Sequence, residues 1–297
     1  MKSRINIFIY KTLLFVIPVG ILFEVLFRLG FSPIITNSSL FDKKMLLLQK
    51  HPVKNVRLMS IGSSITLYEL QSDIIIQNFN MPYYNFAAWG LQITDMKNMM
   101  DDFVKEYQPK YVIICSSPGD FVSLPNDTYF NYLHTSSYIK NNFPEFFYLK
   151  NYNSIHQIIH RKYFDYPISF DNWGGASLNV KQNEVNVHDT FPTQYTQGNY
   201  NSLDTLSAML QQENIKLIFI QAPIRRSNSN TALYQQTIAS HFARCKSIVE
   251  KNGGAYLNYY STTIFTDSLF VDQYHLRTTG AAVLTKEIVS DLKKIIK

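Results

Sequence analysis

Tyr111–Ser117, YVIICSS, is an unbroken apolar, β-branched run that ends in two serines. It shows no alternation, so it suits a strand buried on both faces rather than one wetted along one side. Such strands belong to parallel sheets with helices on both faces, and the flanking sequence agrees. Upstream, TDMKNMMDDFVKEYQ has helical periodicity and opens on Thr94 or Asp95 as a cap. Before it come strand-like PYYNFAAWG, helix-like ITLYELQSDIIIQNF and the short apolar run VRLMSI from Val56. Downstream, helical NSLDTLSAMLQQEN leads into IKLIFIQAP, and TALYQQTIASHFARCKSIVEKNGG, with Gly253 as its stop, leads into AYLNYYS. A last helix is expected from about Thr278 to Ile296. Strands alternating with helices predict an α/β fold, a three-layer sandwich around a central parallel sheet.

The alternation lapses between Asp120 and about Tyr195, where Tyr, Phe, Asn and His dominate. This reads as an insertion at about 121–195, partly helical, on the side of the sheet where ligand sites form. The chain start differs again. Ile5 to Leu29 is apolar apart from Lys11, Glu24 and Arg28. About 25 helical residues would reach roughly 37 Å, enough to cross a bilayer. No small-x-small cleavage site follows Arg28, so an uncleaved transmembrane anchor is expected rather than a removed signal peptide. Lys2, Arg4 and Lys11 favour a cytoplasmic N-terminus, with Lys43 and Lys44 diluting that bias. The expected layout is an anchor over 1–30, a linker over 31–54 and one domain over 55–297, held outside the cytoplasm by a single pass through the plasma (inner) membrane.

With 297 residues, 46% hydrophobic and 17% charged, the chain has a globular composition with no internal repeat. The net charge of +6 suits a surface near anionic lipid or acidic polymer. Lys and Arg are scattered and no nucleic-acid motif accompanies them, so nucleic acid is not expected as a partner. Two cysteines, Cys115 and Cys245, read as buried thiols rather than a disulfide framework. His156 and His160 form HQIIH with helical i,i+4 spacing, but Gln157 stands where zinc proteases need a glutamate. Neither a metal nor another cofactor is expected, and His134 and His188 have no evident partners.

The chemistry is expected at the carboxyl ends of the strands. Ser63 and Ser64 follow the first strand and precede a helix. Such serines are common helix caps; a reactive hydroxyl also needs a base. Asp272, three residues before His275 in FVDQYHLRTTGAAVL, offers a carboxylate one turn from an imidazole. Asp272 could equally cap the last helix. Gln221-Ala222-Pro223 ends a strand and is a further lining candidate. Trp173-Gly174-Gly175 is the insertion's element expected to be exposed.

These residues resemble the SGNH/GDSL hydrolase superfamily. Its first block is similar to Gly62-Ser63-Ser64, its second to Asn85-Phe86-Ala87-Ala88-Trp89-Gly90, and its last Asp-x-x-His to Asp272 through His275. The resemblance spans roughly Val56 to Lys297 and implies a flavodoxin-like sheet. It implies Ser64 as nucleophile, His275 as base, Asp272 as orienter, and the Ser64 and Gly90 N–H groups as an oxyanion hole. Two departures stand out. Ser63 replaces the usual Asp, and CSSPGDF lacks the asparagine that supplies a third oxyanion donor, with Ser116, Ser117 or a backbone N–H as substitutes. Losing one such donor typically costs about 2.7–4 kcal/mol. An anchor fused to such a domain also resembles bacterial envelope proteins that add, move or remove acyl groups on polysaccharide. The implied partners are an acylated polysaccharide or small acyl ester, the membrane, and a membrane acyl-donor protein. The competing expectation is a catalytically degenerate scaffold that binds glycan or protein.

Overall fold

The computed structural model describes residues 2–28, 38–122, 128–133, 170–178, 194–225, 232–260 and 262–296. Five strands, β1 (Leu58–Ser60), β2 (Tyr83–Asn85), β3 (Tyr111–Ser116), β4 (Lys216–Gln221) and β5 (Ala255–Asn258), form one parallel sheet. Their order is β2-β1-β3-β4-β5. The chain therefore moves outward one way from β1 to β2, then returns to the other side of β1 for β3. Where the direction reverses, the loops after β1 and β3 part and leave a crevice at the strands' carboxyl ends.

The main helices are α1 (Lys2–Arg28), α2 (Ser39–Lys50), α3 (Ser64–Glu69), α4 (Ser72–Asn78), α5 (Ile93–Tyr107), α6 (Gln197–Gln212), α7 (Ala232–Lys251) and α8 (Thr278–Ile295). Every residue of β3 is buried, and alternate residues point into different cores. Met59, Val112, Ile114, Leu217 and Phe219 join Met96, Phe103, Leu203 and Val249 of α5, α6 and α7. Leu58, Ile113, Cys115, Ile218 and Ile220 join Ile65, Ile75, Leu284 and Ile288 of α3, α4 and α8. Two cores sharing one sheet make the three layers. Each fully buried aliphatic or aromatic side chain contributes roughly 1.5–3 kcal/mol of transfer free energy. Cys115 and Cys245 are free and buried.

Several local expectations differ from the structure. The helical run after β1 is two helices, α3 and α4, broken at Leu70–Gln71, where the chain turns to follow the sheet's surface. The Gln71 N–H donates to Thr285 Oγ1 of α8 at 3.0 Å, fastening the break. α5 begins one residue before Thr94 and is capped by Gln92, whose N–H donates to Asp95 Oδ2 at 3.0 Å. β2 stops at Asn85, and Phe86–Gly90 is loop.

The span expected as a linker contains α2. Its Phe41 is fully buried and lies edge-on to Tyr129 and Tyr132, at 6.1 and 5.6 Å between ring centroids. Lys44 is fully buried as well. Its Nζ donates to Asn85 O at 2.9 Å and Gly174 O at 2.5 Å, and lies 4.5 Å from the centre of the Phe170 ring. Burial drives this ammonium well below the ordinary lysine range, and nearby Asp171 only partly opposes it. A charged residue in an otherwise modest sequence thus joins three pieces of chain. Exposed apolar side chains run along α1, where Arg4–Leu22 is long and apolar enough to cross a bilayer, a criterion a signal sequence also meets.

Lys44→Met keeps the stem and removes the donor. Two buried carbonyls then lose their partner, each at about 1–3 kcal/mol. We expect a stability loss of about 2–4 kcal/mol in urea unfolding, with the fold retained.

Candidate active site

The site starts at a crowded turn. β1 ends at Ser60, and Gly62 follows with no room for a side chain, because an added Cβ would lie 1.9 Å from Thr66 Oγ1. That hydroxyl donates to Cys115 O at 2.6 Å and accepts from Cys115 N at 3.0 Å. One threonine thereby ties the first turn of α3 to the end of β3. Ser63 is the helix N-cap, its Oγ accepting from Ile65 N at 3.3 Å. Ser64, the first helical residue, is left half-buried with its hydroxyl at the crevice.

The imidazole arrives from the other end of the chain. Residues 270–276 form a narrow loop closed by an antiparallel bridge between Phe270 and Leu276, with the Val271 N–H donating to His275 O at 2.8 Å. Asp272 does not cap α8, whose N-cap is Arg277. Its Oδ1 instead accepts from the Tyr274 and His275 N–H groups, both at 2.8 Å. This turn, rather than a helical one, sets the carboxylate beside the ring. Asp272 Oδ2 lies 2.8 Å from His275 Nδ1, and His275 Nε2 lies 2.8 Å from Ser64 Oγ. Burial pushes the Asp272 carboxyl up, but the ring and both N–H donors more than offset it, leaving the group below the usual aspartate range. An imidazole held so can accept the hydroxyl proton while the carboxylate stabilises the resulting cation.

The second loop runs alongside. The Phe86 and Ala88 N–H groups donate to Ser60 O and Gly62 O, at 2.7 and 3.0 Å. Asn85 is fully buried, accepting from Ala87 N at 2.9 Å and donating to Thr66 O at 3.1 Å. Gly90 is exposed with φ +72°, and an added Cβ would meet nothing, so backbone conformation alone calls for glycine there. Trp89 Nε1 donates to Tyr68 OH at 2.5 Å, and the Tyr68 ring stands edge-on to His275 at 6.0 Å between centroids.

Ser117, a candidate oxyanion donor, opens the short 3₁₀ turn Pro118–Phe121. Its N–H donates to Asp120 Oδ2 at 3.2 Å and is used within the turn, while its hydroxyl accepts from the Asp120 N–H and keeps its own hydrogen. Gln221 is buried, and its amide donates to Ser116 O at 3.0 Å. Trp173 is 37% exposed, but Gly174 and Gly175 are buried against Tyr84 and Ser72. His134, His156, His160 and His188 lie outside the described residues. Among the described residues no cluster of three His, Cys, Asp or Glu could hold a metal. An open cavity of about 810 Å³ lined by Asp101, Lys105, Gln108 and Glu213 sits at the strands' amino ends, away from Ser64.

Two carboxyl groups escaped the sequence reading. Asp120 was legible as the third residue after Ser117 in a capping-box pattern. It is buried, which raises its carboxyl to about 6 despite hydrogen bonds from the Ser116 hydroxyl and the Ser117 N–H. Glu69 carried no signal, since its burial depends on α3 packing against α8. It is fully buried, and its Oε1 accepts from the Leu276 N–H at 3.2 Å. Burial, with Asp272 and Asp120 nearby, holds it well above the ordinary glutamate range.

No family model and no curated protein matches this chain. Solved structures do. An assigned acylhydrolase from Bacteroides fragilis has 15% identity and a TM-score of 0.48, over 86% of this chain and 97% of that one. A catalytic mutant of an acetylxylan esterase from Geobacillus stearothermophilus has 11% identity and a TM-score of 0.46, over 80% and 94%. An α/β hydrolase from the metagenome of Lake Arreo has 12% identity and a TM-score of 0.45, over 80% and 95%. Likeness at this level leaves the chemistry to be argued from the chain's own side chains.

Glu69→Gln keeps the acceptor for Leu276 and cannot ionise. The wild-type acid is harder to ionise folded than unfolded, so its contribution is full below the unfolded value near 4.5 and declines as pH rises. We expect the Gln variant to gain stability relative to wild type between pH 5 and pH 8 in urea titrations. A constant difference across that range contradicts a raised Glu69 pKa.

Proposed function

We propose that this chain is a serine esterase or O-acyltransferase of the SGNH type, acting on acyl esters of cell-envelope polysaccharide. The observation that carries the chemistry is the Asp272–His275–Ser64 chain, with 2.8 Å at each link. The first apolar helix supports a membrane-tethered location, and order and spacing of the blocks support the family. The substrate class rests on the resemblance to envelope proteins of this layout.

In the proposed reaction, His275 Nε2 takes the Ser64 proton as Oγ attacks the ester carbonyl carbon. The oxyanion is held by the Ser64 and Gly90 N–H groups, with the Ser117 hydroxyl as an auxiliary donor. Collapse breaks the ester C–O bond, and the imidazolium returns its proton to the departing alkoxide, leaving acyl-Ser64. His275 then deprotonates the second nucleophile. Water yields the carboxylic acid and free serine; a sugar hydroxyl yields a new ester.

A fluorophosphonate probe tests this. Wild-type protein is expected to label at Ser64, and Ser64→Ala to remain unlabelled. Asp272→Asn should label at least roughly 10³-fold more slowly, as expected when the orienting carboxylate of a triad is lost. A folded wild-type protein that takes no label favours a scaffold that binds glycan or protein without turnover. Product analysis with acetylated glycan, with and without an acceptor sugar, separates hydrolysis from transfer.

A further inference from the structure

We infer that Glu69 is a positioning residue of this site. From the end of the helix that carries Ser64, its carboxyl holds the backbone N–H of Leu276, the residue after His275, and so sets how the imidazole meets the serine. The inference rests on the serine acyl-transfer reading above.

The hydrogen bonds of the C-terminal loop leave one N–H to be met from outside. The Val271 N–H donates to His275 O at 2.8 Å and the Arg277 N–H to Leu269 O at 2.7 Å, on either side of the Phe270–Leu276 pair. That pattern makes Phe270 and Leu276 a non-hydrogen-bonded antiparallel pair, whose own N–H groups point out of the ladder. The Tyr274 and His275 N–H groups are taken by Asp272 Oδ1. Leu276 is fully buried, so its outward N–H needs a partner from the protein. Glu69 Oε1 accepts it at 3.2 Å, across 207 positions of chain.

Glu69 is itself fixed in place. It is fully buried and is the last residue of α3, which begins at Ser64. Its carbonyl accepts from Thr285 Oγ1 of α8 at 2.7 Å. Just beyond it, Gln71 Nε2 donates to Thr278 O, at the start of α8, at 2.7 Å. Six residues of helix therefore carry the nucleophile at one end and the hold on the base at the other. A second tether reaches the loop from the β4 side, where the Arg225 N–H donates to Gln273 O at 3.0 Å, two residues before the imidazole. Glu69 acts on the residue directly after it. With His275 Nε2 only 2.8 Å from Ser64 Oγ, a small displacement of Leu276 changes the contact on which proton transfer depends. The hydrogen bond from Glu69 is to backbone, so it acts through His275 and not on the substrate.

Glu69→Met keeps the length of the side chain and removes the acceptor, whereas Glu69→Gln keeps the acceptor and removes the acid. The readout is the second-order rate of fluorophosphonate labelling at Ser64 at pH 7.5, with kcat and KM for a soluble aryl ester. Both variants are compared where urea titration shows them fully folded, so a loss of stability alone leaves these rates unchanged. The Met variant is expected to label roughly 10- to 100-fold more slowly and to lower kcat by a similar factor with KM unchanged, as for a reacting group misplaced by up to about 1 Å. Glu69→Gln is expected to recover most of that loss. A folded Met variant with the wild-type rate, or a Gln variant as slow as the Met variant, overturns the inference. Should the Met variant not fold, Glu69→Asp, which withdraws the carboxyl by one methylene, takes its place. A slowed Asp variant then supports the inference, and a wild-type rate overturns it. A folded wild type that takes no label removes the acyl-transfer reading itself, whereas a labelled wild type with unslowed variants removes this inference alone.

Discussion

The Thr66 hydroxyl, donating to and accepting from the backbone of Cys115, is the contact on which the candidate site is built. It pulls the first turn of α3 onto β3 so tightly that only glycine fits at 62. With Gly62 fixed, Ser63 caps the helix and Ser64 must emerge at the crevice between β1 and β3. Topology supplies the crevice, and this hydroxyl supplies the register of the serine within it. Neither suffices alone, since a switch point without a clamped turn would leave the hydroxyl free to sample directions away from the imidazole.

Around that serine the carboxyl groups take different states in a small volume. Asp272 is held ionised by three donors. Glu69, with one donor and complete burial, is pushed well above the ordinary glutamate range. Asp120, with several donors but also buried, lies between. The differences come from how many N–H and O–H groups face each carboxyl, because burial opposes charge in all three. Three ionised carboxylates around one imidazole would repel one another.

Distant segments meet at the other side of the site. Lys44 of α2 grips carbonyls from β2 and from residues 170–178, while Trp89 and Tyr68 join the second loop to α3 beside His275. The rim is therefore assembled from pieces before, within and after the sheet's first half. Its Gly174 at φ +80° approaches Asn85 O closely enough that a Cβ there would clash at 2.3 Å.

Much of this was readable in the chain. The uninterrupted apolar run at Tyr111–Ser116 suited burial on both faces and so a parallel sheet. Asp272 and His275 could be named from their spacing and Ser63-Ser64 from their place after a strand, while the choice of Ser64 came from the family resemblance. Other features left no pattern. Lys44 sits in a polar-looking stretch, and only packing shows that its ammonium replaces water for two carbonyls. Glu69 resembles any helix-surface glutamate until α8 covers it. The Asp272–His275 contact looked helical by spacing, yet an aspartate turn produces it. Periodicity and spacing record local backbone preference and which face is dry; ionisation state, and the meeting of serine and imidazole 211 positions apart, depend on which surfaces close over which, and that is settled only when the layers assemble.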